Sequence, residues 1–350
     1  MLTRAETLDR PELLELSLDA TSALLGSRAR AVALRKWLCG ARPVPSDLPD
    51  RIPGVGRSIW SALQPTLAWP VWRLAHRQVA ADGTLKFALD LAGTLVETVL
   101  IPGHGRSTVC VSSQSGCTRR CVFCATATLG FRRQLSASEI VLQYLVAAAE
   151  APPAQPARNV VFMGMGEPMD NLEAVLAAVE RLIENPAPGL AEDHVTVSTS
   201  GVLPGLRRFL AEGRGQLVLS LSATTDEQRA RLVPHSRQWP IAALMAALRA
   251  DPRPAPGRRH LIAYVLWDGV NDSDADARRL AGWLADLPAH VNLIPHNAFP
   301  QSGLRPPPPE RIEAFHRIVC SRGIRCIVRR PRGPEIAAAC GQLALASTPR

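Results

Sequence analysis

The sequence lacks any hydrophobic run long enough to cross a membrane, since no apolar stretch reaches the ~18–20 residues that a spanning helix requires. The first six residues, Met1-Leu2-Thr3-Arg4-Ala5-Glu6, also lack the apolar core of a signal peptide. Eight cysteines in 350 residues are too few for a disulfide scaffold. These absences predict a cytoplasmic protein with no membrane partner, in which clustered cysteines serve a metal or catalysis.

Lysine is nearly absent, because Lys36 and Lys86 are the only two and arginine supplies the rest of the 40 basic residues. The acidic residues number 31, which leaves a formal net charge of +9. An arginine bias can reflect genome composition, so only the charge excess bears on function. The excess favours a polyanionic partner, since arginine binds phosphate with salt-dependent affinity. Charge alone does not separate RNA from DNA or from an acidic protein.

Three of the cysteines, Cys117, Cys121 and Cys124, stand at the spacing CxxxCxxC. Thiolates this close in sequence can converge on one soft metal centre. A structural zinc site normally has four protein ligands, whereas a [4Fe-4S] cluster held by three cysteines keeps one iron open for a small molecule. The alternatives are a zinc site completed by Cys110 or another distant cysteine, and three buried cysteines that bind nothing. The flanking sequence favours the cluster.

The hydrophobic period changes twice along the chain. Residues 11–63 have the pattern of amphipathic helices joined by short turns. Residues 86–91 and 95–102, with a turn at Ala92-Gly93, predict a β-hairpin, and a short buried strand at 107–111 leads into the cysteine motif. Strand and helix patterns then alternate, which indicates an α/β fold with a parallel sheet and outer helices.

Several stretches outside the cysteine motif resemble the RlmN/Cfr family of radical S-adenosylmethionine (SAM) RNA adenine methyltransferases. They are Cys110-Val111-Ser112-Ser113-Gln114-Ser115-Gly116-Cys117, Gly164-Met165-Gly166-Glu167-Pro168, Ser198-Thr199-Ser200-Gly201, Asn292-Leu293-Ile294-Pro295-His296-Asn297 and the twelve residues from Arg332 to Leu343. The cysteine motif alone matches the superfamily, and Cys110 and Cys340 narrow the resemblance to the family. The resemblance covers nearly the whole chain, in order.

The resemblance implies a partial (β/α)6 barrel with its site at the carboxyl ends of the strands. It divides the chain into a helical N-terminal accessory domain over residues 1–68 that helps to hold RNA, a β-hairpin extension over 69–106, and a radical SAM core over 107–350. The core ends in a segment that carries the methyl group.

The resemblance also assigns the cofactors. Cys117, Cys121 and Cys124 would hold a [4Fe-4S] cluster whose open iron binds SAM, and electron transfer would cleave SAM to a 5′-deoxyadenosyl radical. The contacts to SAM would come from a glycine-rich loop and from the ends of later strands: Gly166, Glu167, Ser198, Ser220, Leu221, Ser222 and Asn297. Taken alone, a glycine-rich turn is only a strand–helix connection and a Ser or Asn at a strand end usually caps a helix.

Three catalytic residues follow from the resemblance. Cys340 would accept a methyl group from one SAM and carry it as S-methylcysteine, whose methylene radical then adds to an adenine ring carbon. Cys110 would release the RNA adduct by forming a disulfide with Cys340, and Glu97 would remove the ring proton. The plain alternatives are a small residue packed in a turn for Cys340 and a surface residue of an amphipathic strand for Glu97.

The expected product is 2-methyladenine in 23S rRNA, with tRNA as a further substrate. Residues 305–335 hold eight arginines against three glutamates just before Cys340, where they would contact phosphate. Other family members imply a monomer that takes electrons from a flavodoxin system. The alternatives are Cfr-like methylation at adenine C8, a degenerate RNA-binding paralogue, and a radical SAM enzyme acting on a protein or small molecule.

The chain departs from the family pattern at three places. Ser222 stands where the family usually has His, and His296 stands where Trp is common. The acidic run often found near residues 103–105 is missing. These differences bear on the substrate more than on the cluster chemistry.

Overall fold

The N-terminal part of the chain is helical in the computed structural model, which describes residues 10–253, 259–299 and 302–344. Its helices are α1 (Leu18–Leu25), α2 (Arg28–Gly40) and α3 (Arg57–Leu63). Helix α1 starts at Leu18, because Ser17 accepts a hydrogen bond from the Ala20 amide and caps the helix there. Leu13 and Leu14 are buried ahead of that cap. The first nine residues, including the segment without a signal-peptide core, lie outside the described part.

Three antiparallel strands follow the helices: β1 (Trp72–Val79), β2 (Leu85–Leu91) and β3 (Thr94–Ile101). The predicted hairpin is confirmed as β2 and β3, and both turn residues have the positive φ that a tight hairpin needs, 50° at Ala92 and 84° at Gly93. Strand β1 was not predicted. Strand β3 also pairs antiparallel with β4 (Ser107–Cys110), so the hairpin continues the sheet of the core. The three-part division of the chain stays a prediction.

The core alternates strands with helices. After β4 come a small pair of strands, β5 (Gln114–Gly116) and β6 (Phe131–Gln134), and then α4 (Ala137–Ala149), β7 (Ala157–Phe162), α5 (Leu172–Ile183), β8 (Val195–Thr199), α6 (Leu203–Glu212), β9 (Gln216–Ser220), α7 (Asp226–Leu232), α8 (Ile241–Arg249), β10 (His260–Leu266), α9 (Asp274–Leu284), β11 (Ala289–Pro295), α10 (Pro309–Cys320) and β12 (Arg325–Val328). The predicted rhythm is confirmed. Helix α7 and the β5–β6 pair were missed because they are short.

Ten strands of the described residues form one sheet in the order β1-β2-β3-β4-β7-β8-β9-β10-β11-β12. From β4 to β12 all neighbours are parallel. The arrangement is the predicted (β/α)6 pattern followed by a further strand, β12. The strands are fully buried at positions such as Val160, Val197 and Val291, as expected for a sheet covered by helices.

The loops at the carboxyl ends of the parallel strands lie at one edge of the sheet. The cysteine motif follows β4, the glycine-rich loop follows β7, and the chain after β12 returns to the same edge. No helix in the described ranges is long and apolar enough to span a membrane.

Candidate active site

The loop that carries the cysteine motif is anchored to the glycine-rich loop by Asp170. The Arg119 Nε lies 2.6 Å from Asp170 Oδ2, and a second guanidinium nitrogen and the Thr118 hydroxyl also donate to this carboxylate. The Arg119 guanidinium carbon lies 5.7 Å from the centroid of the Trp239 ring. Asp170 ends the 3-10 turn that follows Glu167. Sequence reasoning missed this side chain, although it stands two residues after Pro168.

The three motif thiols influence one another electrostatically. Burial raises the pKa of Cys121 well above its usual value, and the charges of Cys124 and Cys117 raise it further. Burial, together with the Cys124 charge, raises the pKa of Cys117 to about 12, although the Arg119 amide donates to its sulfur at 3.4 Å. Burial also raises the pKa of Cys124. Such thiols become thiolates only when a positive centre binds them.

This donor set fits an iron–sulfur cluster better than a single ion. In the described ranges no three His, Cys, Asp or Glu side chains stand close enough to ligate one metal ion. A [4Fe-4S] cluster attaches its cysteines to different irons and does not need that close approach. The three half-buried cysteines of the motif suit the predicted cluster, and the zinc site stays an alternative.

The glycine-rich loop is tightly packed. Gly166 has φ 105°, and a Cβ there would lie 2.7 Å from the Ser113 hydroxyl oxygen, so only glycine fits. The buried Glu167 carboxylate accepts from the Ser200 amide at 2.8 Å, the Ser200 hydroxyl at 2.7 Å and the Met169 amide at 3.1 Å. Burial raises the pKa of Glu167 while these hydrogen bonds lower it. In this structure Glu167 therefore joins the ends of β7 and β8.

Four buried polar atoms near the strand ends have no hydrogen-bond partner within the described part of the chain. They are Ser113 Oγ, Ser222 Oγ, Trp267 Nε1 and His296 Nε2, which follow β4, β9, β10 and β11. The Trp267 ring centroid lies 6.0 Å from that of His296 and 4.8 Å from that of Phe123 in the cysteine loop. An unpaired buried polar group is costly, so these atoms fit a pocket completed by a polar ligand such as SAM.

The other predicted SAM contacts lie at the same edge. Ser198 and Ser220 are half-buried near the ends of β8 and β9, and Leu221 is buried just beyond. The Asn297 amide donates to the Cys340 carbonyl at 3.1 Å. The structure thus brings Asn297 to the predicted methyl carrier. Sequence reasoning missed Ser113 and Trp267 as candidate SAM contacts. Trp267 directly follows the buried strand β10, and Ser113 stands three residues after β4.

The segment around Cys340 packs against the cysteine loop. The Ala125 amide donates to the Gly341 carbonyl at 2.7 Å, and the Thr126 hydroxyl donates to the Leu343 carbonyl at 2.6 Å. Cys340 is exposed to solvent, yet the surrounding protein desolvates its thiol and raises its pKa, while the Arg329 charge lowers it. Cys340 is therefore an exposed residue whose thiol the neighbouring protein atoms still desolvate.

Cys110 lies at the end of β4 and is buried. Burial raises the pKa of its thiol, and the charge of Cys340 raises it further. The two sulfurs are therefore electrostatic neighbours although 230 positions separate them. Both are free thiols in this structure, and a disulfide between them stays a prediction.

Glu97 is buried, so the alternative of a surface residue is wrong. Its Oε1 lies 3.1 Å from Lys86 Nζ, and each of the two side chains is 4% exposed. The Ser112 hydroxyl donates to the Glu97 carbonyl at 2.6 Å, and the Glu97 amide contacts the Met165 sulfur at 3.4 Å. Glu97, on hairpin strand β3, thus contacts the glycine-rich loop. Sequence reasoning missed Lys86, whose signal is a lysine inside an apolar strand.

Known proteins resemble this chain over nearly its whole length. The family model of the radical SAM superfamily matches residues 111–281. The dual-specificity RNA methyltransferase RlmN of Anaeromyxobacter sp. (strain Fw109-5) is 41% identical, over 97% of this chain and 92% of that protein. The protein of the same name from Methylobacterium radiotolerans is 42% identical, over 95% and 86%. The crystal structure of a radical SAM methyltransferase from Sphaerobacter thermophilus superimposes with a TM-score of 0.84 at 38% identity, over 95% of this chain and 99% of that one.

Proposed function

The chain belongs to the RlmN family of radical SAM RNA methyltransferases, and we propose that it methylates adenine C2 in 23S rRNA and in tRNA. The predicted fold and enzyme class are thereby confirmed, and the family implies a [4Fe-4S] cluster and SAM. One observation carries the finer proposal: the segment of Cys340 lies against both the cysteine loop and the Asn297 side chain, with the Cys110 thiol as an electrostatic neighbour.

Cys117, Cys121 and Cys124 would hold the cluster. Gly166, Glu167, Ser198, Ser220, Leu221, Ser222 and Asn297 would surround SAM, and the unpaired atoms of Ser113, Trp267 and His296 add candidate contacts. When bound, the cluster and SAM together supply a 5′-deoxyadenosyl radical. A radical route suits C2, because this electron-poor carbon has no lone pair with which to attack SAM directly.

Each remaining task falls to a residue of the chain. The Cys340 sulfur would take a methyl group from one SAM, whose own S–CH3 bond breaks so that S-adenosylhomocysteine leaves, and the thiol proton is lost as the new S–C bond forms. After hydrogen removal, the methylene carbon joins the adenine ring and the RNA is bonded to Cys340. The adduct formed by the carbon radical holds one unpaired electron, which would pass to a one-electron acceptor while Glu97 accepts the ring proton. Cys110 then attacks the Cys340 sulfur, so that an S–S bond forms as the S–CH2 bond breaks, and the released carbon takes a proton to become the methyl group. The raised pKa of Cys110 means that this attack requires loss of its proton first.

The remaining assignments are proposals of the same kind. Residues 1–68 would help to hold RNA, residues 69–106 would form the hairpin extension and residues 107–350 the catalytic core. A flavodoxin-type protein would donate electrons to a monomeric enzyme. The cytoplasm would be its location, since ribosomal and transfer RNA lie there.

The test is anaerobic reconstitution with iron and sulfide, followed by SAM, reductant and unmodified 23S rRNA or tRNA. Mass spectrometry of the digested nucleosides should reveal 2-methyladenosine from both RNAs. Cys340→Ala should abolish the product while 5′-deoxyadenosine still forms, and Cys39→Ala, a half-buried cysteine of α2, should behave as wild type.

Other outcomes would replace the proposal. An 8-methyladenosine peak would move the chain to C8 chemistry. Formation of 5′-deoxyadenosine without any methylated nucleoside would indicate a protein or small-molecule substrate, and absence of both iron and SAM cleavage would indicate a degenerate paralogue.

A further inference from the structure

The buried ion pair between Lys86 and Glu97 is unusual for this chain. The Lys86 Nζ lies 3.1 Å from Glu97 Oε1, and both side chains are almost completely buried. Taking two charges out of water is costly, and an apolar pair of similar volume would often serve stability as well. A lysine placed here, in a chain that otherwise uses arginine almost throughout, therefore points to a role beyond packing.

Strand register locates this pair beside Cys110. Lys86 of β2 lies opposite Val99 of β3, and Val99 lies opposite Cys110 of β4. Directly paired residues share a face of the sheet, and so do residues two apart on one strand, as are Glu97 and Val99. Lys86, Glu97 and Cys110 therefore project from the same face.

The Lys86 ammonium also faces the segment that carries Cys340. Its nitrogen lies 3.4 Å from the Ala337 carbonyl oxygen, which is a long hydrogen bond, three residues before Cys340. Two shorter links hold the same segment to the β1–β2 turn: the Ala81 amide donates to Glu335 Oε1 at 2.7 Å, and the Gly333 amide donates to Asp82 Oδ2 at 3.3 Å. The ammonium thus lies between Glu97, which is the proposed base, and residues 333–344, which we call the carrier segment.

We propose that Lys86 is a positioning residue, which holds the Glu97 carboxylate in place beside the carrier segment. This inference rests on the proposed function. In the step concerned, the proton of the adenine ring carbon moves to a Glu97 carboxylate oxygen, and the C–H electron pair stays in the ring. Glu97 becomes neutral and Lys86 keeps its charge. Without the ammonium, the Glu97 carboxylate loses the 3.1 Å contact that fixes it beside the carrier segment, so it would no longer be oriented to receive this proton.

The test measures Cys340 methylation, SAM cleavage and adduct release separately in Lys86→Met, Lys86→Arg and Glu97→Gln. The control is Lys36→Met, which changes the exposed lysine of α2. Methylation of Cys340 is read from the mass of its peptide, SAM cleavage from 5′-deoxyadenosine, and the RNA adduct from a denaturing gel. Lys86→Met and Glu97→Gln should both methylate Cys340 and cleave SAM within about twofold of wild type. Both should accumulate the adduct and release product about 10²-fold more slowly, the usual contribution of a general base. Lys86→Arg should recover part of the rate, and Lys36→Met should match wild type.

Two results would overturn the role of Lys86 while leaving the proposed function intact. One is wild-type product release by Lys86→Met. The other is joint loss of Cys340 methylation, SAM cleavage and product, with no recovery in Lys86→Arg, since a purely structural lysine would affect every step.

If the wild-type protein forms no methylated nucleoside, the proposed function is wrong. A measurement that does not depend on catalysis then still tests the role of Lys86. Hydrogen exchange of the cluster-free protein should be faster around Ala337 in Lys86→Met than in Lys36→Met, while the Glu335 and Gly333 contacts keep the rest of the segment in place. Equal exchange in these two variants would contradict the link between Lys86 and the carrier segment.

Discussion

At the scale of single residues, Asp170 holds the cysteine loop through Arg119 and Thr118. In Asp170→Ala we expect iron incorporation to fall several-fold, because the Arg119 charge, whose side chain is 12% exposed, loses its partner. Losing a hydrogen-bonded charge pair of this kind costs about 2 kcal/mol. Iron analysis after reconstitution, together with thermal unfolding of the apoprotein, measures both effects.

The matched control is Asp286→Ala. Asp286 also receives a two-pronged arginine contact, from Arg249, but its side chain is 64% exposed. Exposed pairs contribute about 0–1 kcal/mol, so this variant should bind iron as wild type does. Equal iron content in the two variants would mean that Asp170 does not order the loop.

At the scale of elements, the turn between β1 and β2 clamps the segment before Cys340. In Glu335→Ala the Ala81 amide loses its 2.7 Å partner, so we expect the segment to open more often, with little change in global stability. Limited proteolysis within residues 333–344 should speed up, and methylation of Cys340 should slow by a similar factor.

The control Glu313→Ala removes a 74% exposed carboxylate from α10 and should change neither rate. Faster proteolysis with unchanged Cys340 methylation would show that the clamp does not control the carrier.

Element bounds were largely predictable because local patterns specify them. In helix α5 the buried Leu172, Val175 and Val179 recur at the helical period. Ser136 caps α4 by accepting from the Glu139 amide, and the Glu139 carboxylate accepts from the Ser136 amide in return. Two of the missed elements, β1 and α7, have weaker patterns: β1 is an edge strand of half-buried and exposed residues without regular alternation, and α7 is only seven residues long. Neither forms a long apolar stripe that the sequence alone reveals.

At the scale of the whole molecule, the charge excess should govern RNA affinity. The arginines 329, 330 and 332 are exposed between β12 and Cys340, and the Arg329 charge reaches the Cys340 thiol. In Arg329→Ser/Arg330→Ser we expect weaker binding to a 23S rRNA fragment, and a plot of log affinity against log salt whose slope is smaller by about 1.5. Fluorescence anisotropy at several salt concentrations measures both.

The control for this prediction is Arg207→Ser/Arg278→Ser, which removes the same charge from the outer helices α6 and α9. It should change the slope far less, because those helices lie on the outside of the sheet. Equal slopes in both double variants would mean that only net charge, and not the surface beside Cys340, attracts the RNA.

The sequence by itself determined the family and the alternation of strands and helices, and it predicts the cysteine ligand set. Each of these depends on spacing within a few residues or on periodicity within one element. Both can be read directly from the order of the amino acids. The burial of Glu97 against Lys86, the neighbourhood of Cys110 and Cys340, and the Asp170 anchor were decided only by the tertiary structure. Strand register and the return of the chain after β12 create these contacts, and both depend on the packing of the whole sheet, which no local pattern records.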